Sequence, residues 1–260
     1  MPGAAAKWAF AAVRSNRYTI SMIPLAPLSP SQILFEDNHV LAINKPAPLL
    51  TQAPAQIPSL EAMVKAYIKD KHAKKGTVYL GIPHRLDRPV SGVILFARST
   101  KAAQRIHAQF QKHEVRKVYW AAVEGDVTPE VGVWDDWIRK IATEARTVRA
   151  VEGEEHAKLA TLEFRVLQRL PAGGTLIEFT PLTGRMHQLR VQASWRGHAV
   201  FGDITYDSPR AFGPPAELPR DRVIALHARR LTFTHPTTKE LLTLEAPLPD
   251  SWKELGVQEK

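Results

Sequence analysis

The stretch PHRLDRPVSGVILFARS, from Pro83 to Ser99, sets a lone carboxylate, Asp87, between Arg85 and Arg88, directly ahead of an apolar run that reads as a buried strand. A carboxylate anchored where a polar loop enters a buried strand is positionally stiff, which a nucleophile or general base requires. The flanking guanidinium groups of Arg85 and Arg88 favour its ionised form. An ionised, oriented carboxylate can attack a carbon electrophile and later depart. The alternative from position alone is a structural salt bridge.

A second dense group of polar side chains occupies Thr180 to Asp207, TPLTGRMHQLRVQASWRGHAVFGDITYD. Thr183-Gly184 makes a turn that presents Arg185, and His187, Gln188 and Arg190 supply donors from the helix that follows. Such a set can hold phosphates and sugar edges around a pocket. His187 and His198 lack a third ligand at the usual spacing, so no metal is expected. Gly202-Asp203 with Tyr206 reads either as a loop whose Asp orients a neighbouring Arg or as a capped turn.

The bulk composition says what kind of ligand these groups would meet. Thirty-five basic residues against 26 acidic ones give a formal charge of +9, a balance that draws polyanions and makes nucleic acid the first expectation. The 260 residues, 44% hydrophobic and 23% charged, suffice for a large core without disulfides. Cysteine is absent, which removes thiolate catalysis and thiolate zinc sites and fits a reducing cytoplasm. No apolar run approaches the length of about 20 residues that spans a bilayer. A monomer is the default for a site that must admit a folded polyanion.

Between the two clusters lies RKVYWAAVEG, where strand alternation sends Lys117 and Tyr119 to one side and Trp120 to the other. A base extruded from RNA needs an aromatic platform, and Tyr119 is the candidate; a core aromatic is the alternative. His84, Arg85, Arg88 and Lys117, with His187, Gln188 and Arg190, make up the expected RNA-binding set.

These residues need a scaffold to bring them together. ILFEDNHVLAINKP reads as a hairpin about Asp37-Asn38, Ser59 starts an amphipathic helix, and a second helix runs from Thr100 to about His113. KVYWAAVEG, TLEFRVLQRL and TLIEFTPL are strands, RMHQLRVQASWRG is a helix ended by Gly197, and RRLTFTHPTTKELLTLEAPLP closes as a hairpin about Pro236. Helices interspersed among strand pairs without regular alternation predict an α+β fold. Its sheet would be mixed and mostly antiparallel, flanked by helices and loops, with a cleft across it. A tail over residues 1–30, one catalytic unit over 31–252 and a short tail over 253–260 are expected. The first acidic residue is Glu36, which loosely suggests a transit peptide, while a loose terminus or an extension upstream of Met22 explains the segment as well.

HRLDRPVSGVILFA resembles the H-R-L-D-x-x-T/S-S-G-x-x-x-x-A signature of the RluA-type pseudouridine synthases. The opening hairpin, the Tyr-containing strand, LTGRMHQLRVQASWRGHAVFGDITY and LHARRLTFTHP are similar to further segments of that family in the same order. The resemblance implies isomerisation of uridine to pseudouridine in rRNA or tRNA, with Asp87 as the catalytic aspartate and Arg185 paired to it. It further implies that Tyr119 stacks against the base, that Arg85 fills the space of the flipped nucleotide, and that no metal or organic cofactor is needed. Val90 stands where the signature has Thr or Ser, and Pro48 where Gly is common. The small S4-like RNA-binding module of many relatives is not expected before Ile33, which leaves recognition to the catalytic unit's own basic surface.

Overall fold

A computed structural model describes residues 27–257, so most of the tail expected over residues 1–30 lies outside the described residues. Ile33–Glu36 (β1) and Val40–Lys45 (β2) form the opening hairpin. Asp37 closes it, because its Oδ1 accepts from the backbone N–H groups of His39 and Val40 at 2.7 Å each, the local bonding that suits Asp to turns. Ser59 accepts from Ala62 N–H to start α1 (Leu60–Lys71), and Ser99 accepts from Ala102 N–H to start α2 (Thr100–Gln111). Both are N-caps that satisfy a donor the first turn leaves unpaired.

Between these helices, Ser91–Ala97 (β3) is buried at every position. The reason is that both faces of β2 and β3 are covered. Ile94 and Phe96 join Leu41, Ile43 and the α1 residues Leu60, Val64 and Ile68 in the main core. Val93, Leu95 and Ala97 join Val40, Ala42 and the α2 residues Ala102 and Ile106 in a second core. A strand with two buried faces needs no polar alternation, which is why GVILFA is continuous.

The remaining strands are Arg116–Val123 (β4), Val131–Lys140 (β5), Thr147–Arg149 (β6), Lys158–Arg169 (β7), Thr175–Pro181 (β8), Leu226–Thr234 (β9) and Leu241–Glu245 (β10), with α3 at Gln188–Trp195. Among the described residues, the strands make one ten-stranded sheet in the order β1-β2-β3-β9-β4-β8-β7-β5-β6, with β10 added on β9. Every pairing is antiparallel except β3 with β9, so the expected α+β class and mostly antiparallel sheet are present.

That parallel seam is brief, pairing Ser91 with His227 and Gly92 with Ala228. Gly92 has φ 113°, and a Cβ there would lie 2.3 Å from Ala228 O, so only glycine lets the strands approach. Beside it Ser91 Oγ lies 2.8 Å from His227 Nδ1, and His227 Nε2 lies 3.2 Å from Ala246 O. A carbonyl only accepts, so Nε2 carries the proton and Nδ1 accepts from the serine. Burial holds the imidazole neutral, pushing it down to about 4.

The ordered unit continues past residue 252. Trp252 is buried, and Leu255 and Val257 pack against the main core, so the first half of the segment expected as a tail from 253 is part of the fold. Among the described residues no helix is long and apolar enough to cross a membrane.

Candidate active site

The loop before β3 is tied down on both sides of Asp87. Leu86 is buried, its N–H donates to Thr51 Oγ1 at 3.2 Å, and Thr51 Oγ1 donates back to Leu86 O at 2.9 Å. One residue past the acid, Arg88 O accepts from Leu49 N–H at 3.0 Å and from Lys45 Nζ at 3.3 Å. Val90 N–H closes the turn on Asp87 O at 3.1 Å. Val90, at the position of the signature hydroxyl, is buried in the main core. The acid is thus held by a fixed backbone while its own side chain stays 32% exposed.

Two side chains of the third motif converge on its Oδ2. Arg190 Nη1 lies 3.2 Å away and His187 Nε2 lies 3.5 Å away. Arg190 is itself gripped by Asp203, Nε to Oδ2 at 2.5 Å and Nη2 to Oδ1 at 2.8 Å, the two-pronged geometry that makes such pairs strong. Burial works against the Arg190 charge, but the hydrogen bonds and charge of Asp203, with the charge of Asp87, hold the guanidinium above its ordinary value. Asp203 therefore does orient a neighbouring arginine, the first of the two readings its loop allowed.

His187 sits at the start of α3 with φ 52°, in the left-handed region. Its Nδ1 lies 3.0 Å from Tyr206 Oη, which also meets Thr147 N and O at 3.0 and 3.1 Å. Burial lowers the imidazole, and Arg190 lowers it further, against the raising charges of Asp87 and Asp203.

Tyr119 lies half-buried on β4 within the field of Asp87; burial first, and then that negative charge, push its phenol up. It stays protonated near neutrality and offers a ring face and an O–H rather than a base. Lys117, two residues earlier on the same strand, donates from Nζ to Thr183 O at 3.4 Å, and burial lowers its ammonium. Lys45 has no exposed surface and donates to Pro46 O, Leu49 O and Arg88 O at 3.1, 2.6 and 3.3 Å. Burial pushes it down to about 7, with Asp87 opposing and Arg88 adding to the shift.

Several expected roles change. Arg185 does not pair with Asp87; it is exposed, and its Nε donates to Leu159 O at 3.2 Å. It precedes the helix, whereas Arg190 lies three residues beyond His187 on the same helix face. Arg88 turns to Asp221, Nη2 to Oδ1 at 2.7 Å, rather than flanking Asp87. His84 Nε2 accepts from Leu95 N–H at 2.9 Å, and its ring stacks on Phe110 at 4.7 Å, so it fastens the loop instead of facing RNA. Gln188 is buried, accepting from Arg185 N–H and Thr183 Oγ1 and donating to Thr161 O, which consumes its amide in shaping the turn. Arg190 is buried as the partner of Asp87 and is closed to phosphate. Arg85 remains exposed beside the acid.

The result is a partly exposed carboxylate with one oxygen held by Arg190 and the other without a hydrogen-bond partner among the described residues, in the field of a protonated Tyr119. The description RNA pseudouridylate synthase belongs to the family model that matches residues 39–195. A dual-specificity RNA pseudouridine synthase RluA from Haemophilus influenzae is 34% identical over 226 residues, covering 85% of this chain and 94% of that protein. A tRNA pseudouridine synthase C from Salmonella typhi is 33% identical over 236 residues, covering 87% and 89%. Among solved structures, human RNA pseudouridylate synthase domain containing 4 superposes with a TM-score of 0.70 at 26% identity, covering 87% of this chain and 94% of that one.

Proposed function

This chain belongs to the RNA pseudouridylate synthase family and isomerises uridine to pseudouridine in RNA; from that premise we propose that Asp87 carries the reaction on a uridine extruded from its helix and stacked on Tyr119. The isomerisation breaks the bond from ribose carbon 1′ to nitrogen 1 of uracil, makes a bond from the same ribose carbon to carbon 5, releases the proton of carbon 5 to solvent and returns a solvent proton to nitrogen 1, so that the atoms balance. A fixed carboxylate serves it by engaging the electrophilic carbon while the base turns and by leaving once the new bond forms.

The observation that carries this reading is the one-sided hold on Asp87. Oδ2 is taken by Arg190, while Oδ1 has no hydrogen-bond partner among the described residues. Extruding a base costs a few kcal/mol, which stacking on Tyr119 and phosphate contacts from Arg85, Arg185 and Lys117 would offset. Relatives named for the ribosomal large subunit and for tRNA make rRNA and tRNA the substrates to test, and we read the enzyme as a monomer of a reducing compartment, the cytoplasm. Purified protein incubated with rRNA and tRNA transcripts tritiated at carbon 5 of uridine is expected to release tritium to water from at least one. Mapping the product then locates the site. Absence of release from every transcript, with the RNA bound, would contradict the reading.

A further inference from the structure

We propose that His187 is a positioning residue for Asp87, donating from Nε2 to Oδ2 beside Arg190 so that Oδ1 is the oxygen that reacts. The inference rests on Asp87 being the reacting group and deepens that reading. Three observations converge on it. His187 holds a left-handed backbone, φ 52°, that costs a residue with a side chain, and strain of this kind collects where surrounding structure fixes a functional geometry. Its ring is fastened at the far nitrogen, Nδ1 to Tyr206 Oη at 3.0 Å, with the two rings edge to face. The near nitrogen faces Oδ2 at 3.5 Å, a length that apo sites commonly shorten when substrate binds.

Proton placement follows from the partners. Thr147 N–H donates to Tyr206 Oη, so the single Tyr206 proton goes either to Thr147 O or to His187 Nδ1. In the neutral imidazole a proton on Nδ1 would turn the Nε2 lone pair against a carboxylate. A proton on Nε2 instead donates to Asp87 and leaves Nδ1 to accept from Tyr206. In the imidazolium, Nδ1–H donates to Tyr206 Oη, whose own proton returns to Thr147 O, and Nε2–H still faces Asp87. Tyr206 thus accommodates both states without changing what Asp87 receives.

The groups around the imidazole are Asp87 from the loop before β3, Arg190 from α3, and Asp203 and Tyr206 from the segment after it. Arg146, before β6, lies over the Tyr206 ring at 5.8 Å. Since Nε2–H is present on either side of the His187 titration, the chemical step should not follow that titration.

The test combines two measurements. Nitrogen-15 spectra of histidine-labelled wild-type protein should show the resonance of His187, assigned by its loss in His187→Gln, as the Nε2–H tautomer; an Nδ1–H tautomer would overturn the inference. Single-turnover tritium release should fall about tenfold or more in His187→Asn. Asparagine suits the left-handed backbone but is too short to reach Oδ2. Release should recover substantially in His187→Gln, whose amide nitrogen can stand in for Nε2, with RNA affinity unchanged in both. The pH profile of the rate from about pH 5.5 to 8 should be the same in wild type and His187→Gln, since Lys45, which titrates at about 7 in the field of Asp87, is present in both. A rate that follows an imidazole titration absent from His187→Gln would instead make His187 a proton carrier. Asp87→Asn separates the two ideas. An active Asp87→Asn variant overturns the role of Asp87 itself, whereas an inactive one together with a fully active His187→Asn overturns only the positioning role.

Discussion

Asp87 and Arg190 stand 103 residues apart in sequence and meet at 3.2 Å, Oδ2 to Nη1, while Asp203 grips the other edge of the same guanidinium. The partly exposed acid therefore takes its orientation from a buried ion pair, whose members are 5% and 1% exposed in their side chains. Arg190→Ala would strand the Asp203 charge in the interior and should cost about 3–5 kcal/mol of stability by urea denaturation. Arg190→Lys keeps the charge but not the two-edged contact. It should fold less stably than wild type and release tritium at least about tenfold more slowly at saturating RNA.

Arg185, by contrast, makes one backbone hydrogen bond from an exposed position. Arg185→Ala should leave stability within about 0.5 kcal/mol and kcat close to wild type. If it touches RNA phosphate, it should weaken RNA affinity and reduce the salt slope by about one. A loss of kcat matching that of an Asp87 variant would return the pairing role to Arg185.

Lys45 makes stability depend on pH. Its ammonium falls from the ordinary 10.5 to about 7 on burial, so the unfolded chain binds this proton more tightly than the fold. The penalty is full below about pH 7 and is relieved as pH rises toward the unfolded value, by up to about 1.4 kcal/mol per unit. The difference in Tm between wild type and Lys45→Met should therefore shift in favour of wild type from about pH 7 to 10. A constant difference would mean that Lys45 keeps an ordinary affinity for its proton.

Gly92 carries the seam between β3 and β9. With φ 113° and Ala228 O only 2.3 Å from the Cβ position, Gly92→Ala must part the two strands and should cost at least about 2 kcal/mol. Because Ser91 starts the strand that follows the Asp87 loop, tritium release should fall beyond what the unfolded fraction accounts for. A variant of wild-type stability would show that the strands can separate freely.

Much of this was legible from residue order. Ser59 announced the start of α1, the spacing of Ala103, Ile106 and Phe110 announced α2, Asp37-Asn38 announced the hairpin, and the unbroken apolar run of β3 announced a buried strand. β5 was not anticipated, because an inward position of its period-two pattern is a charge. Asp136 is buried there and is satisfied by Arg196 and Gln192, a pairing that only the folded chain supplies. In the site, Asp87 and Tyr119 stood out by type and setting. The resemblance implied Arg185 as the partner of Asp87, whereas the three-residue step from His187 to Arg190 places those two on the helix face that meets the acid. His84 and Gln188 carried the polar chemistry of a binding site, yet their hydrogen bonds close on Leu95 N–H and on the 183–188 turn. Composition cannot separate a donor facing RNA from one consumed by the backbone.

The proposed reaction stands on the Asp87 carboxylate as the reacting group. Its most direct test is single-turnover tritium release by Asp87→Asn, a substitution of nearly equal shape, alongside equilibrium binding of the same RNA. The expected result is RNA affinity close to wild type with release too slow to detect; release at a rate comparable to wild type would contradict the claim.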